Sequence, residues 1–321
     1  MRVALIGFGN VGRAFARLLD RQRAQYPFPI VGIHTAHHGT VYDRKRLPVT
    51  PAFGEPAKSI TEFLDRAHPD VAIEVTPLNP TDGEPAISHI RAAFARGIHV
   101  ITANKGPIAH AYAALREEAK RAQVEFRFES TVMDGAPVFN LARNCLPGVR
   151  ITGFTGVLNS TSKLVVAAMQ RGLSMEEGIA EAQRLGVAEA DASFDIDGWD
   201  SAAKAAALAN VLMDASTRPQ DVVRNGIGEL TTEEAVRLAA LGKTLMLVSR
   251  AERREDGSVS LRVSPEVMQA TDMLATIQGT SNLLLFHTDL MGSVGTVSIS
   301  PGVEQTAYGL FSDLVDIAKS V

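Results

Sequence analysis

Gly7-Phe8-Gly9-Asn10-Val11-Gly12 follows the short apolar run Val3–Ile6 and begins a stretch whose apolar residues have helical spacing. Glycines in a G-x-G-x-x-G pattern after a strand allow a tight turn, close approach of the backbone to a pyrophosphate, and close helix–strand packing. The N–H groups at the helix start then face the phosphate charge. Glycines also make ordinary turns, but a position between strand and helix is the context that a nucleotide site requires. The stretch therefore predicts dinucleotide binding by Gly7, Phe8, Gly9, Asn10 and Val11.

Strands and helices alternate through the first half of the chain. Apolar runs predict further strands at residues 30–33, 71–75, 98–102 and 124–128, and helices near 60–67, 84–96 and 107–122. This alternation is typical of a mostly parallel sheet covered on both faces.

Beyond residue 150 the pattern changes to α+β. Helices are expected from 162 to 213 and near 232–240, strands at 244–248, 259–263, 283–288 and 294–299, and an amphipathic end at 306–319. We therefore expect an α/β fold with an N-terminal Rossmann dinucleotide-binding domain and a second α+β domain. The expected bounds are 1–148, joined by a C-terminal helix at 302–321, for the first domain, and 149–301 for the substrate-binding and dimerisation domain.

Composition excludes several classes of protein. The formal net charge is −4 over 321 residues and the basic residues form no stripe, so no nucleic-acid partner is expected. No run approaches the roughly 18 to 20 apolar residues that cross a bilayer. A single cysteine, Cys145, cannot form an internal disulfide, which suits a reducing compartment. We expect a cytoplasmic protein that binds a small molecule.

Two loops are expected beside the nucleotide. Thr76-Pro77 follows the third predicted strand, and Ala103-Asn104-Lys105 follows the fourth. Ligands of open α/β sheets bind beyond the carboxyl ends of the strands. A helix N-terminus disfavours a cation, so a lysine at position 105 indicates a functional role, although a surface lysine stays possible.

The choice between NAD and NADP stays open. The second strand ends without the carboxylate that would bind the ribose 2′-OH. The basic residues that follow could meet a 2′-phosphate or form a solvated loop; they are His37, His38, Arg44, Lys45 and Arg46.

An acidic block followed by a lysine is the most informative segment of the second half. Residues 189–200 contain five carboxylates, and Lys204 follows in an alanine-rich helix. A calcium loop would need Glu where Lys204 stands, which excludes that interpretation. Asp200 lies one helical turn before Lys204, so an ordinary i,i+4 ion pair is one reading. A catalytic ammonium that polarises a carbonyl and transfers its proton is the other.

At these residues the chain resembles the homoserine dehydrogenase family over nearly its whole length. The shared stretches include residues 102–105, 129–137 and 156–161, and above all 181–186 leading into Glu189, Asp195, Asp200 and Lys204. The resemblance implies interconversion of L-homoserine and L-aspartate 4-semialdehyde in threonine and methionine biosynthesis. It also implies a homodimer formed through the second domain. Because the chain ends at Val321, no C-terminal regulatory domain is expected.

The resemblance also assigns roles to residues. Lys204 is the acid/base lysine, Asp200 its partner, and Lys105 lies between cofactor and substrate. The substrate is bound by Thr161, Glu189 and Asp195, and Gly302 and Glu304 belong to a loop over the cofactor. A monovalent cation, Na⁺ or K⁺, would be held by the Glu129 carboxylate and the carbonyls of Val132, Asp134 and Ala136.

Three departures from the family pattern leave alternatives. Ser160 and Lys163 differ near the expected substrate pocket, and Glu304 adds bulk and charge to the cofactor loop. A related oxidoreductase for another small hydroxy acid or alcohol, or a nucleotide-binding sensor without turnover, would accommodate these three departures.

A further alternative, an acylating aldehyde dehydrogenase, would need Cys145 as an exposed nucleophile. Its apolar-patterned surroundings predict a buried thiol instead.

Overall fold

The structure is a computed structural model that describes residues 1–320. It consists of two compact units, Met1–Asn140 with the segment from Gly302 onward, and Leu141–Pro301. Within the described residues, no helix combines the length and the apolar character needed to span a membrane.

The first unit is a Rossmann domain. Its strands are β1 Val3–Ile6, β2 Ile30–Thr35, β3 Gly39–Tyr42, β4 Val71–Glu74, β5 His99–Thr102 and β6 Phe126–Arg127. Its helices are α1 Asn10–Arg21, α2 Ile60–Ala67, α3 Ala86–Phe94, α4 Lys105–Ala122 and, at the C-terminal end of the chain, α10 Val303–Ser320, with a 3-10 turn at Glu129–Thr131. The strand order is β3-β2-β1-β4-β5-β6, and all neighbours are parallel except β2 and β3. The predicted fold class is thus confirmed.

Buried apolar residues hold helices α1 and α10 against the central strand β1. Every residue of β1 is buried, as a central strand covered on both faces requires. Phe15 and Leu19 of α1 and Leu310 and Leu314 of α10 join one core cluster with β1. The C-terminal helix is therefore part of the nucleotide domain.

One strand of this sheet is absent from the sequence-based prediction. Thr40, Val41 and the residues beside them pair antiparallel with the end of β2, so residues 35–39 form a hairpin turn. The chain then returns to the start of β2, where the Asp43 N–H donates to the Val31 carbonyl at 3.0 Å. Treating residues 37–46 as one loop was wrong: His37 and His38 stay at the carboxyl edge, whereas Arg44, Lys45 and Arg46 lie at the opposite edge.

The second unit is an α+β domain around a mixed sheet. Its strands are β7 Ile151–Val157, β8 Val223–Arg224, β9 Lys243–Arg253, β10 Val259–Gln269, β11 Asn282–Thr288 and β12 Ser293–Ser298. Its helices are α5 Ser160–Gln170, α6 Met175–Arg184, α7 Ser193–Ile196, α8 Trp199–Leu212 and α9 Thr232–Ala240, with a π-helical turn at Leu141–Cys145 and a 3-10 turn at Pro219–Asp221. The strand order is β12-β11-β7-β9-β10-β8.

Two features of this unit differ from the expectations. Strand β7 was not predicted, because Gly153 and Gly156 interrupt its apolar pattern. The backbone explains Gly153: a Cβ there would stand 2.4 Å from the Ala251 carbonyl oxygen of the neighbouring strand. The prediction of a buried Cys145 was also wrong. Its thiol is exposed, since the π-helical turn carries it away from the buried residues Val138 and Phe139.

Close backbone packing holds α10 against the turn that follows β6. A Cβ on Gly309 would stand 2.2 Å from the Ser130 hydroxyl oxygen and 2.8 Å from Gly135 Cα. The Ser130 hydroxyl also donates to the Thr306 carbonyl of α10 at 2.7 Å. Glycine is needed at 309 for this approach.

Gly309→Ala tests this packing through the sign of its effect. In an open helix, replacing Gly by Ala stabilises by about 1 kcal/mol. Here we expect a loss of about 1–3 kcal/mol in the free energy of unfolding, because the methyl group overpacks the contact. Urea unfolding measures it, with Ser312→Ala in the same helix as a control expected within about 0.5 kcal/mol of the parent. A stabilised Gly309→Ala variant would contradict the packing.

Candidate functional site

The three glycines of the first turn have three different surroundings. Gly7 has φ +100°, and a Cβ there would lie 2.6 Å from the Val75 carbonyl oxygen. A Cβ on Gly12 would lie 3.1 Å from the Gly7 carbonyl oxygen, so this glycine lets helix and strand pack. A Cβ on Gly9 would meet no described atom within 4 Å. Gly9 therefore borders open space at the start of α1, and the geometry fits a bound pyrophosphate.

The neighbours of these glycines divide between packing and exposure. Phe8 is buried and its ring packs edge-on against Phe53, with centroids 5.9 Å apart. Asn10 is exposed and Val11 is half-buried at the beginning of α1. No side chain among residues 1–320 caps this helix at Gly9. Its first N–H groups thus have the arrangement of an anion site.

The two loops predicted beside the nucleotide are joined by one side chain. Asn104 caps α4, and its Oδ1 accepts the Gly106 N–H at 3.0 Å. Its Nδ2 donates to the Thr76 carbonyl at 3.2 Å and to the Pro77 carbonyl at 3.3 Å. Lys105 is the first residue of α4 and is half-buried. The structure therefore brings Thr76, Pro77, Asn104 and Lys105 together at the carboxyl ends of β4 and β5.

The charge of Glu304 is balanced within the same unit. Its carboxylate lies 3.0 Å from Arg17 and 3.8 Å from Arg21, both on α1. Gly302 starts the same turn, and its N–H donates to Gln305 Oε1 at 2.9 Å. An acidic residue in the first turn of α10 also suits the helix dipole. In this geometry Glu304 ties α10 to α1.

The Glu129 carboxylate is buried and held by backbone donors. Oε1 accepts the N–H groups of Val138 and Phe139 at 2.5 and 2.8 Å, and Oε2 accepts that of Asn140 at 2.7 Å. The turn between them contains Asp134 at φ +57°. Within residues 1–320, no cluster of three or more His, Cys, Asp or Glu side chains could hold a metal ion. One carboxylate with several carbonyl oxygens is a different donor set, and oxygen ligands of this kind suit a hard cation.

A charged cluster occupies the second unit. Lys204 Nζ lies 2.9 Å from Asp200 Oδ2, and it donates to the Leu158 carbonyl at 2.7 Å. The lysine and aspartate side chains are only 16% and 11% exposed. This burial, together with the second acceptor, distinguishes the pair from an ordinary surface ion pair.

Asn159 connects this pair to a second carboxylate. Its Nδ2 donates to Asp195 Oδ1 at 2.6 Å and to Asp200 Oδ2 at 3.0 Å. Its Oδ1 accepts the Ser162 N–H at 2.8 Å and caps α5. The Thr161 side chain also hydrogen-bonds to Asp195. The role of Asn159 was not predicted, although it lies in the family stretch 156–161 directly before a helix, where a capping amide is common.

The carboxylates of the cluster repel each other. Burial, and then the negative charge of Asp200, raise the pKa of Asp195 above its ordinary value. Two carboxylates facing one ammonium leave one net negative charge when all are ionised. The cluster is therefore suited to bind a second cation, such as a substrate ammonium.

Other predicted substrate-site residues lie elsewhere in the unit. Ser160 Oγ donates to the Thr280 carbonyl at 3.2 Å, and the buried Lys163 donates to the Ser281 carbonyl. These two departures from the family pattern thus hold the turn before β11. Glu189 is exposed in the loop before α7, where Gln183 Nε2 donates to its carbonyl at 3.0 Å. Among the described residues, the hydrogen-bonded cluster comprises Thr161, Asp195, Asp200 and Lys204 with Asn159, and not Glu189.

Comparisons with known proteins agree over both units. The family profile described as homoserine dehydrogenase matches residues 137–315, and that of the homoserine dehydrogenase NAD-binding domain matches residues 7–129. The NAD(+)-dependent homoserine dehydrogenase of Pseudomonas canavaninivorans is 37% identical over 99% of this chain and 96% of its own length. The homoserine dehydrogenase of Methanocaldococcus jannaschii is 34% identical over 100% of this chain and 99% of its own.

A solved structure supports the same conclusion. The homoserine dehydrogenase of Thiobacillus denitrificans matches with a TM-score of 0.85 at 28% identity, covering 99% of this chain and 73% of that one. The resemblance inferred from the sequence is confirmed. This protein is an NAD(P)-dependent oxidoreductase, and its chain belongs to the homoserine dehydrogenase family.

Proposed function

We propose that the chain interconverts L-homoserine and L-aspartate 4-semialdehyde with Lys204 as the general acid/base. The observation that carries this proposal is the buried position of Lys204 between Asp200 and the Leu158 carbonyl. When bound, NAD(P)⁺ supplies the acceptor for the hydride that leaves C4 of homoserine. In that direction the Lys204 amine takes the hydroxyl proton, and in the other the ammonium returns it to the carbonyl oxygen.

Asp200 and Asn159 act on Lys204 and not on the substrate in this proposal. The Asp200 carboxylate lies 2.9 Å from Lys204 Nζ, and Asn159 Nδ2 donates to the same carboxylate oxygen. The Leu158 carbonyl accepts a second N–H of the same group, so two acceptors fix the position of Nζ. A fixed proton donor is what general acid catalysis needs.

Asp195 and Thr161 bind the substrate amino group in this proposal. The net negative charge of the cluster supports recognition of an ammonium, which would also offset the repulsion between Asp195 and Asp200. Substrates without the amino group would leave that repulsion uncompensated. Another hydroxy acid, or a sensor without turnover, is therefore not favoured, and the family matches agree.

We also propose that NAD is preferred over NADP. The strongly basic residues 44–46 lie at the far edge of the sheet, and Arg46 pairs with Asp20 at 3.0 Å. At the end of β2, the Thr35 hydroxyl accepts the His38 N–H at 2.8 Å and donates to the Gly39 carbonyl at 3.1 Å. Of the five basic residues considered for a 2′-phosphate, His37 and His38 are the two at the carboxyl edge of the sheet. The relative from Pseudomonas canavaninivorans, described as NAD(+)-dependent, supports the same preference.

Two further proposals concern a cation and assembly. Na⁺ or K⁺ held by the Glu129 carboxylate and the carbonyls of Val132, Asp134 and Ala136 would offset a buried negative charge. The test is to compare turnover in K⁺ with turnover in a bulky organic cation; the proposal expects turnover to be higher in K⁺.

A homodimer through the second unit would cover the edge strand β12, where Val297 is 47% exposed; Ile299, just after this strand, is 79% exposed. The molar mass in light scattering tests the dimer.

Lys204→Ala tests the proton-transfer role. We expect kcat for homoserine oxidation to fall by about 10²–10⁴-fold, the usual contribution of a general acid or base. The dissociation constant of NADH should not change, because Lys204 belongs to the second unit. Asp200→Asn should reduce kcat by a smaller factor, and the exposed Lys58→Ala is the matched control. Near-normal turnover of Lys204→Ala would show that another group moves the proton.

Asp195→Asn tests the role of the Asp195 carboxylate, whose pKa is raised by burial and by the charge of Asp200. A carboxyl whose pKa is raised on folding stabilises the fold at acidic pH and loses that contribution as the pH rises through its folded pKa. The neutral amide should therefore increase the free energy of unfolding at pH 8 by about 1 kcal/mol, and less at pH 5. The KM for homoserine should rise at least about tenfold as a charge-assisted contact is lost. Reduced stability at pH 8 together with an unchanged KM would overturn the assignment.

Gly9→Ala and Gly7→Ala separate nucleotide binding from folding. Gly9→Ala adds a methyl group where no described atom lies within 4 Å, so its Tm should stay the same while NADH affinity falls about tenfold. Gly7→Ala should instead lower the Tm, because it forces a clash at 2.6 Å with the Val75 carbonyl at positive φ. Titrations with NADH and NADPH give both affinities, and the NADH preference should persist in Gly9→Ala. Unaltered binding by Gly9→Ala would remove the pyrophosphate from this turn.

A further inference from the structure

Glu74 carries a fully buried negative charge at the carboxyl end of β4. Its relative exposure is 0%. Oε1 accepts the Thr76 N–H at 3.0 Å and also the Thr76 hydroxyl. Oε2 accepts the Thr102 hydroxyl at 2.9 Å, and Thr102 is the last residue of the neighbouring strand β5. One carboxylate thus bonds to the ends of two strands.

The Thr102 hydroxyl extends this contact to the next loop. Its oxygen accepts the Asn104 N–H at 2.9 Å while its proton goes to Glu74. The Asn104 amide returns to the first loop through the Thr76 and Pro77 carbonyls. The contacts form a closed ring from Glu74 through Thr102 and Asn104 to Thr76, and back to Glu74.

The ring explains why an acid stands in an otherwise apolar strand. Val71, Ala72 and Ile73 complete β4, and a buried charge costs more than another apolar side chain would. The groups facing Glu74 are a backbone N–H and two hydroxyls that donate, and an ionised carboxylate is the side chain that only accepts. His89 Nδ1 approaches Oε1 only to 3.9 Å, which is beyond hydrogen-bond distance. The loops therefore supply the partners of this charge.

We propose that Glu74 is a positioning residue for the nucleotide: it holds Thr76-Pro77 and Ala103-Asn104-Lys105 in the arrangement that binds the nicotinamide half of the cofactor. This inference rests on the proposed nicotinamide-dependent function, in which these two loops, at the carboxyl ends of β4 and β5, border the nicotinamide. Glu74 does not contact the cofactor itself. It acts through Thr76 and Thr102, so its loss should affect nucleotide parameters and spare substrate parameters.

Glu74→Gln and a pair of Thr102 variants test this role. In Glu74→Gln, an amide NH₂ replaces one of the two acceptor oxygens. On the Oε1 side it would face the Thr76 N–H, which can only donate, and on the Oε2 side it would leave the Thr102 hydroxyl proton without this acceptor. We expect the NADH dissociation constant and the KM for NAD⁺ to rise at least about tenfold, while the KM for homoserine stays within about twofold. Thr102→Val, which removes only the relay hydroxyl, should shift the same two constants in the same direction. Thr102→Ser retains the hydroxyl and should restore near-parental nucleotide constants.

The measurements are NADH fluorescence titration, steady-state kinetics with each substrate varied, and the Tm of each variant. A lower Tm with unchanged nucleotide constants in Glu74→Gln and Thr102→Val would show a structural role only and overturn the proposal. An equal rise in the KM of both substrates would also overturn it. If Glu74→Gln does not fold, Thr102→Val and Thr102→Ser decide the question. NADH titration separates this inference from the proposed reaction, because it reports nucleotide binding even if the parent does not oxidise homoserine.

Discussion

The charged cluster of the second unit depends on one hydrogen-bond donor, the side-chain amide of Asn159, which bonds to two carboxylates at once. Asp195 and Asp200 both accept its Nδ2 protons, and the same side chain caps α5 through its oxygen. Asn159 thereby fixes the connection between β7 and α5 to Asp195 of α7 and Asp200 of α8. Lys204 offsets only part of the negative charge. Burial and the charge of Asp200 raise the pKa of Asp195, and we propose that this uncompensated negative charge selects a substrate that carries its own ammonium group.

Buried acids play related parts in the first unit. Glu74 and Glu129 are both at most 2% exposed. Glu74 accepts hydrogen bonds from the turn after β4 and from Thr102 at the end of β5, and Glu129 accepts three from the backbone of residues 138–140. A carboxylate with several backbone or hydroxyl donors fixes the path of an irregular segment, which hydrophobic contacts alone specify less sharply. The sequence of the nucleotide turn contains no such carboxylate. Gly9 leaves open space beside the start of α1, which no side chain of the described residues caps, and this arrangement suits a bound anion.

Local sequence signals predicted much of this arrangement. The glycine spacing located the Rossmann turn, and helices α2 and α9 have the predicted bounds, because each has a polar cap before a clear apolar pattern. The Lys204–Asp200 pair followed from helical spacing alone. The predictions failed where long-range contacts decide. Strand β7 contains Gly153, which packs closely against β9, and Gly156, which packs closely against β11; β3 exists because the chain folds back on β2. The roles of Asn159 and Glu74 depend on partners distant in sequence.

In the proposed function, the charged cluster of Asp195, Asp200 and Lys204 recognises the substrate through its amino group. The most direct measurement compares kcat/KM for L-homoserine with that for 4-hydroxybutanoate, the same molecule without the amino group. We expect kcat/KM to be at least about 10⁴-fold higher for homoserine, as in sites whose buried polar groups would otherwise be left unpaired. Asp195→Asn should reduce this ratio, mainly by lowering kcat/KM for homoserine. Equal kcat/KM values for the two alcohols in the parent protein would contradict recognition through the amino group.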